Sequence, residues 1–230
     1  MRILGLIPAR GGSKGIPGKN IKLLGGYPLL KYTIDSANRS EYLSRLIISS
    51  DDQSIIEVAK SLNLEVPFVR PKGLAEDATP TITVLKHALN FFSANGEYYD
   101  AVCLLQPTTP FRGEGLIDEA IEKFKKGDYD SLISVRQIPL EFNPHWAFED
   151  HGGTLKMATG EGNPIARRQK LPKAYHRDGA IYLTKSDVIL KNDSLFGNKI
   201  GYVDTTHQDY VNLDTIEDWI KAEDILKNRN

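Results

Sequence analysis

Short apolar runs alternate along this chain with stretches whose apolar residues recur every three or four positions. The runs predict buried strands, and the periodic stretches predict helices packed on them. Residues 3–7 (Ile-Leu-Gly-Leu-Ile) open the series as a strand. A helix follows from Tyr27 to about Asn38, with Leu30, Ile34 and Ala37 on one side. Residues 46–49 predict a second strand, and Ile55, Ile56, Ala59 and Leu62 mark the next helix. Residues 66–69 predict a third strand, placed at an edge or a start because Pro67 has no N–H to donate. Thr79 and Pro80 predict a helix start, with Thr79 as cap and proline at the first helical position. Residues 101–105 predict a central strand, 113–126 a helix and 131–135 another strand. After residue 176 the rhythm resumes with a strand (180–184), a short helix (186–190), a strand (200–203) and a closing helix (215–227).

Strands alternating with helices at this spacing make an α/β fold, a mostly parallel sheet with helices on both faces. Ligands on such sheets bind beyond the carboxyl ends of the strands. The segment after Ile7, Asp51, the loop from Arg70 and the segment after Leu105 all fall at such ends. Periodicity therefore gathers them at one rim.

Residues 137–176 break the rhythm. They carry scattered prolines, glycines and aromatics (Phe142, Trp146, Phe148, Tyr175) and little helical period. A loop this long is functional or disordered, and the aromatics argue for order. The expected organisation is one α/β domain, residues 1–136 with 177–230, and an arm, 137–176, inserted in it. The arm would bury its rings against a second subunit, or fold back as a hairpin on its own.

The segment after the first strand changes the picture most. It holds four glycines and three cations, Arg10, Lys14 and Lys19, before Asn20. Glycines let backbone N–H groups approach an anion, and cations neutralise it, which is the chemistry of a polyphosphate cradle. The Gly-x-x-x-x-Gly-Lys-Ser/Thr spacing fails, and Asn20 stands where a hydroxyl would be needed. The dinucleotide Gly-x-Gly-x-x-Gly pattern fails too. A merely flexible glycine loop is the alternative.

Length and charge narrow the field. The chain has 230 residues, enough for one substantial domain. A net charge of -1 provides no footprint for nucleic acid or an anionic membrane. The single cysteine, Cys103, can form no internal disulfide and sits in an apolar run, so it reads as an inert buried thiol. The first apolar run is shorter than a signal-peptide core, and no stretch approaches membrane-spanning length. A soluble cytoplasmic protein is expected. The five histidines show no zinc spacing.

Ala9-Arg10-x-Gly-Ser-Lys14 followed by Lys19-Asn20 resembles the signature of the CMP-sialic acid synthetases, the acylneuraminate cytidylyltransferases. The resemblance runs from Ile7 to Trp219. It implies a Rossmann-like fold of the nucleotide-diphospho-sugar transferase type, with an extended dimerisation arm that reaches the partner's active site. It also implies a homodimer, and the reaction of CTP with a nonulosonic acid to give CMP-sugar acid and pyrophosphate. By that resemblance Ala9, Arg10, Gly11, Ser13, Lys14, Lys19 and Asn20 would hold the nucleotide, with Lys19 nearest the α-phosphate. Arg70-Pro-x-x-Leu-Ala-x-Asp77 matches a second family motif that binds the base, although Asp77 also suits a turn.

Gln106-Pro-Thr108-Thr-Pro-Phe-Arg112 is stiffened by two prolines and suits a polyhydroxy ligand. In the family the glutamine contacts the sugar. Arg168 matches an arm arginine that would meet the sugar carboxylate, a geometry a guanidinium satisfies with two parallel bonds. Asp178-Gly-Ala-Ile-Tyr182 is similar to an Asn-Gly-Ala-Ile-Tyr block, with Asp178 in place of the asparagine, and the resemblance implies that Asp178 and Tyr182 contact the sugar acid. Leu195 and Phe196 match a pair packed on the sugar's acyl group, or are plain core. The family's metal motif, Asp-Ile-Asp, reads Asn212-Leu213-Asp214 here. Asp214, with the neutral oxygen of Asn212, would hold Mg2+; Asp214 could also cap the closing helix. Arg10, Lys19 and Asp214 would carry catalysis. Alternatives within the fold are a legionaminic, pseudaminic or Kdo-like acid, or another nucleotide. Outside it is a weakly active binding protein that has lost one metal ligand.

Overall fold

The computed structural model describes residues 1–229. In chain order its elements are β1 (Ile3–Pro8), β2 (Leu23–Leu24), β3 (Tyr27–Pro28), α1 (Leu29–Asn38), β4 (Arg45–Ser49), α2 (Gln53–Ser61), α3 (Thr81–Ala94) and β5 (Ala101–Leu104). Then follow α4 (Leu116–Gly127), β6 (Ser131–Gln137), β7 (Phe148–Asp150), β8 (Leu155–Met157), β9 (Tyr175–Lys185), α5 (Ser186–Asn192), β10 (Ile200–Asp204) and α6 (Ile216–Lys227). Six strands make one sheet in the order β10-β6-β9-β5-β1-β4. β9 runs antiparallel to both its neighbours, and the other pairings are parallel.

Both faces of the sheet are covered, because alternate residues of its central strands point opposite ways. Ile3, Ile7, Ala101 and Cys103 pack with Leu30 and Ile34 of α1, Ile55 of α2 and Phe124 of α4. Leu4, Leu6, Val102 and Leu104 pack with Leu85 and Phe92 of α3 and Ile189 of α5. A third cluster lies at the rim: Ile16 of the glycine loop, Leu24, Leu29, Phe111, Leu213 and Trp219 of α6. It fastens the loop to the segment before α6. Burial pushes the Cys103 thiol up to about 12, so it stays protonated and inert.

Several elements differ from the sequence reading. Tyr27 and Pro28 form the second strand of a small hairpin, so α1 starts two residues late, at Leu29. Residues 66–69 form no strand. Only Glu65 bridges to Ile47 of β4, and beyond it Pro67 cannot continue the ladder. Pro80, not Thr79, caps α3; the Thr79 hydroxyl donates instead to the Gly73 carbonyl at 3.3 Å. α4 begins only after Gly115, whose φ of +70° turns the chain into the helix.

The arm leaves and re-enters the sheet at a paired position, Gln137 opposite Tyr175. Between these residues it folds on itself as three-residue 3-10 turns and the β7–β8 hairpin. Asn143 is fully buried and donates to the Pro172 carbonyl at 2.9 Å. The Trp146 indole N–H donates to the Ile165 carbonyl at 2.6 Å. Phe142, Phe148 and Leu155 stay exposed in the single chain.

Candidate active site

β1, β4 and β5 are parallel, so their carboxyl ends meet at one edge of the sheet. There they surround a cleft of about 400 Å³. The loop after β1 forms one wall. The Ala9 N–H donates to the Ser49 carbonyl at 3.0 Å and pins the start of that loop. The Gly11 N–H donates to Asp51 at 3.3 Å. A Cβ on Gly11 would run into Asp52, and one on Gly15 would overlap the Asp214 carbonyl oxygen. These two glycines therefore permit a close approach that no other residue allows. Asn20 is buried and donates to the Arg10 carbonyl at 3.0 Å, closing the loop on itself.

Asp52 accepts from the Ile55 N–H at 3.0 Å and caps α2. Its neighbour Asp51 steers Gly11 and faces Arg70. The two adjacent carboxylates thus divide into one cap and one loop anchor.

Lys19 reaches across the cleft. Its Nζ donates to the Leu213 carbonyl at 2.5 Å and lies 3.4 Å from Asp214 Oδ1. The Asn212 amide donates to the other Asp214 oxygen at 2.5 Å. Thr215, not Asp214, caps α6: its hydroxyl accepts from the Asp218 N–H at 3.3 Å, and Asp218 accepts back from the Thr215 N–H at 3.0 Å. The Asp214 carboxylate is therefore left to face the cleft, 62% exposed. Among the described residues no group of three or more histidine, cysteine or acidic side chains could cage a metal. One carboxylate with a nearby amide suits Mg2+ nonetheless, because Mg2+ usually binds through one or two carboxylates and the substrate's phosphates.

Arg70 is nearly buried at the end of β4. Its Nε donates to Ser49 Oγ at 3.0 Å, a second nitrogen donates to the Ser49 carbonyl, and a third reaches the Leu74 carbonyl at 3.5 Å. Burial lowers its pKa to about 10, with Asp51 opposing, so it is still cationic at neutral pH. Asp77 bridges Arg10, at 2.7 Å, and Lys14. The Lys14 hydrogen bond, ahead of the two cationic charges, holds the Asp77 carboxyl below the usual carboxylate range.

The opposite wall is the segment after β5. Gln106 and Thr108 line the cleft, and the Leu213 N–H donates to the Thr108 carbonyl at 2.9 Å. Arg112 is buried behind this wall. It donates to the Gln106 carbonyl at 2.6 Å, the Ala180 carbonyl at 2.9 Å and Thr33 Oγ1 at 2.9 Å. Its guanidinium thus ties the glutamine to β9 and α1 and does not face a ligand. Burial pushes its pKa down to about 10.

Ten of the residues singled out from the sequence line this one cleft: Arg10, Ser13, Lys14, Lys19, Asn20, Arg70, Asp77, Gln106, Thr108 and Asp214. Ala9 and Gly11 lie directly behind them, and Asn212 meets the cleft through Asp214. The rest lie elsewhere. Asp178 is buried where β9 bulges out between Arg177 and Tyr182. Its carboxylate accepts from the Ser134 hydroxyl, the Ala180 N–H at 2.9 Å and the Thr205 hydroxyl at 2.5 Å. Those three donors occupy it, so it supports the wall from behind and offers the cleft no oxygen. Tyr182 is buried in the second core cluster, against Leu195 and Phe196, with its ring 6.3 Å from that of Phe196. Arg168 sits exposed on the arm.

Sequence reasoning missed Leu74, Glu76, Thr79, Thr81 and Val84, which close the cleft opposite the loop. The signal was the Pro80 helix start, since the first turn of a helix following a rim loop tends to face the rim.

The family model described as cytidylyltransferase matches residues 4–213. The pseudaminic acid cytidylyltransferase of Campylobacter jejuni is 34% identical over 218 residues, 95% of this chain and 93% of that protein. The CMP-N,N'-diacetyllegionaminic acid synthase of Legionella pneumophila is 32% identical over 230 residues, 99% of this chain and 97% of that protein. A solved CMP:2-keto-3-deoxy-manno-octonic acid synthetase, complexed with CTP, superposes with a TM-score of 0.75 over all of both chains at 14% identity, a likeness of fold. This chain belongs to the cytidylyltransferases, enzymes of the nucleotidyltransferase class.

Proposed function

We propose that this chain joins CTP to a nonulosonic acid of the pseudaminic or legionaminic kind, giving the CMP-sugar acid and pyrophosphate. The observation that carries the reading is the meeting of Lys19 with Asp214 in one cleft lined by Arg10 and Lys14. The sugar's anomeric hydroxyl attacks the α-phosphorus; the new O–P bond forms as the bond to the pyrophosphate oxygen breaks, and the hydroxyl proton is released to solvent. Arg10, Lys14 and Lys19 stabilise charge on the phosphates, and Arg70 holds the wall beside the base. Gln106, fixed from behind by Arg112, orients the sugar acid. Catalysis is then positioning and electrostatic stabilisation. When bound, Mg2+ offsets triphosphate charge, and Asp214 with the Asn212 amide oxygen would hold it.

The same reading makes the enzyme a cytoplasmic homodimer. Exposed Phe142, Phe148 and Leu155 on the arm supply apolar surface for a second copy. Arg168, exposed on the arm, would meet the sugar carboxylate in the neighbouring cleft. Sedimentation velocity on the wild-type chain is expected to show a dimer, and a monomer with full activity would reject this part.

The acceptor and nucleotide are tested by pyrophosphate release from CTP, GTP, UTP and ATP with pseudaminic, legionaminic, N-acetylneuraminic and 2-keto-3-deoxy-manno-octonic acids. Release is expected with CTP and is expected to be fastest with pseudaminic or legionaminic acid. No release with CTP rejects the reading.

A further inference from the structure

We propose that Asp77 is an internal competitor for the part of the cleft that takes the two outer phosphates, and so sets how tightly pyrophosphate is held. The inference rests on the nucleotide reading above. One Asp77 oxygen lies 2.7 Å from Arg10 and the other accepts from Lys14. Among the described residues no other acid pairs with either cation. A carboxylate set across two loop cations occupies the place where phosphate oxygens would sit. Both anions cannot be there at once, since like charges in one site repel. Arriving triphosphate must displace Asp77, and Asp77 can return as pyrophosphate leaves.

The segment carrying Asp77 is built to let go. The Leu74 N–H donates to Pro71, the Ala75 N–H to Lys72 and the Thr79 N–H to Glu76. These bonds stay within the segment, so Asp77 can swing away with no loss of sheet pairing. Asp77 is 41% exposed and Lys14 80%, so their contact costs little to break. The contrast is Lys19, 13% exposed and held by the backbone of Leu213. A nucleoside monophosphate placed at Lys19 leaves the Asp77 pairs intact. Asp77 therefore discriminates by phosphate number, weakening pyrophosphate and triphosphate but sparing the monophosphate.

The test is calorimetric titration of the full chain with inorganic pyrophosphate, CTP and CMP, in buffer with a chelator so that no divalent metal contributes. Asp77→Asn is expected to tighten pyrophosphate about tenfold and to leave CMP within about twofold of wild type. Glu76→Gln removes the same charge from the same cleft lining but breaks no ion pair among the described residues, so it reports the general effect of charge and is expected to tighten pyrophosphate less than Asp77→Asn does. Unchanged or weaker pyrophosphate binding in Asp77→Asn overturns the proposal. So does an equal gain for CMP, or an equal gain in Glu76→Gln. A wild-type chain that binds no CTP even after Mg2+ is added back rejects the underlying nucleotide reading as well.

Discussion

Lys19 Nζ stands 3.4 Å from Asp214 Oδ1, across a separation of 195 residues. The glycine loop and the segment before α6 hold the two together through the buried contact of Ile16 with Leu213 and Trp219. In a cleft without nucleotide the two charges neutralise each other. With a triphosphate bound, each has a phosphate oxygen or its metal to meet. Lys19→Ala is expected to lower kcat about 100- to 1000-fold, the usual cost of losing one donor at a developing charge. The melting temperature is expected to hold, which steady-state kinetics and calorimetry on one sample can compare.

Gly15 makes that meeting possible. A Cβ there would overlap the Asp214 carbonyl oxygen, so Gly15→Ala must push the loop away from the segment before α6. A shift of about 1 Å between reacting groups can cost about 100-fold. Gly15→Ala is expected to lose at least that much kcat with its circular dichroism intact. Full activity would show that the loop and Asp214 need not touch.

Arg112 supports the opposite wall from inside. Arg112→Met would leave the Gln106 and Ala180 carbonyls without their donor, at about 1–3 kcal/mol each. Urea denaturation is expected to register a loss of about 2–5 kcal/mol. Arg112→Lys can restore one of the three bonds and is expected to recover part of the stability. The KM for the sugar acid is expected to rise more than the KM for CTP in both variants.

His87 connects stability to pH. It packs edge-on to Phe68, with ring centroids 4.7 Å apart, and its buried Nδ1 has no hydrogen-bond partner. Burial, then the Arg70 charge, lowers its pKa below the ordinary 6.5. Above 6.5 both folded and unfolded chains hold it neutral. As pH falls below 6.5 the unfolded chain takes up a proton first, so stability drops until the folded pKa is passed. Thermal melts of His87→Leu are expected to lose less stability than wild type between about pH 6.5 and 5.5. Equal slopes would contradict this.

The fold was legible because its strands are short, apolar and regularly spaced, as residues 3–7 and 101–105 illustrate. The direction of β9 was not legible. It is buried on both faces, so its run of apolar residues carries no mark of which way it pairs. Much of the cleft was also readable, since glycines and cations of the first loop have few other uses. Asp178 was not. Its carboxylate is drawn inward by Ser134 of β6 and Thr205 just after β10, and by a bulge that only the folded sheet creates. The cap of α6 depended on one residue of register: Thr215 with Asp218 forms a capping box and so leaves Asp214 for the cleft.

The most direct test of the account is a crystal structure of the chain with CTP and Mg2+. The account predicts the α-phosphate within about 3 Å of Lys19 Nζ, the metal on Asp214, and the outer phosphates at Arg10 and Lys14. Nucleotide bound away from these residues, for example in the groove between α1 and α6 lined by Tyr27, Lys31 and Arg229, would contradict it.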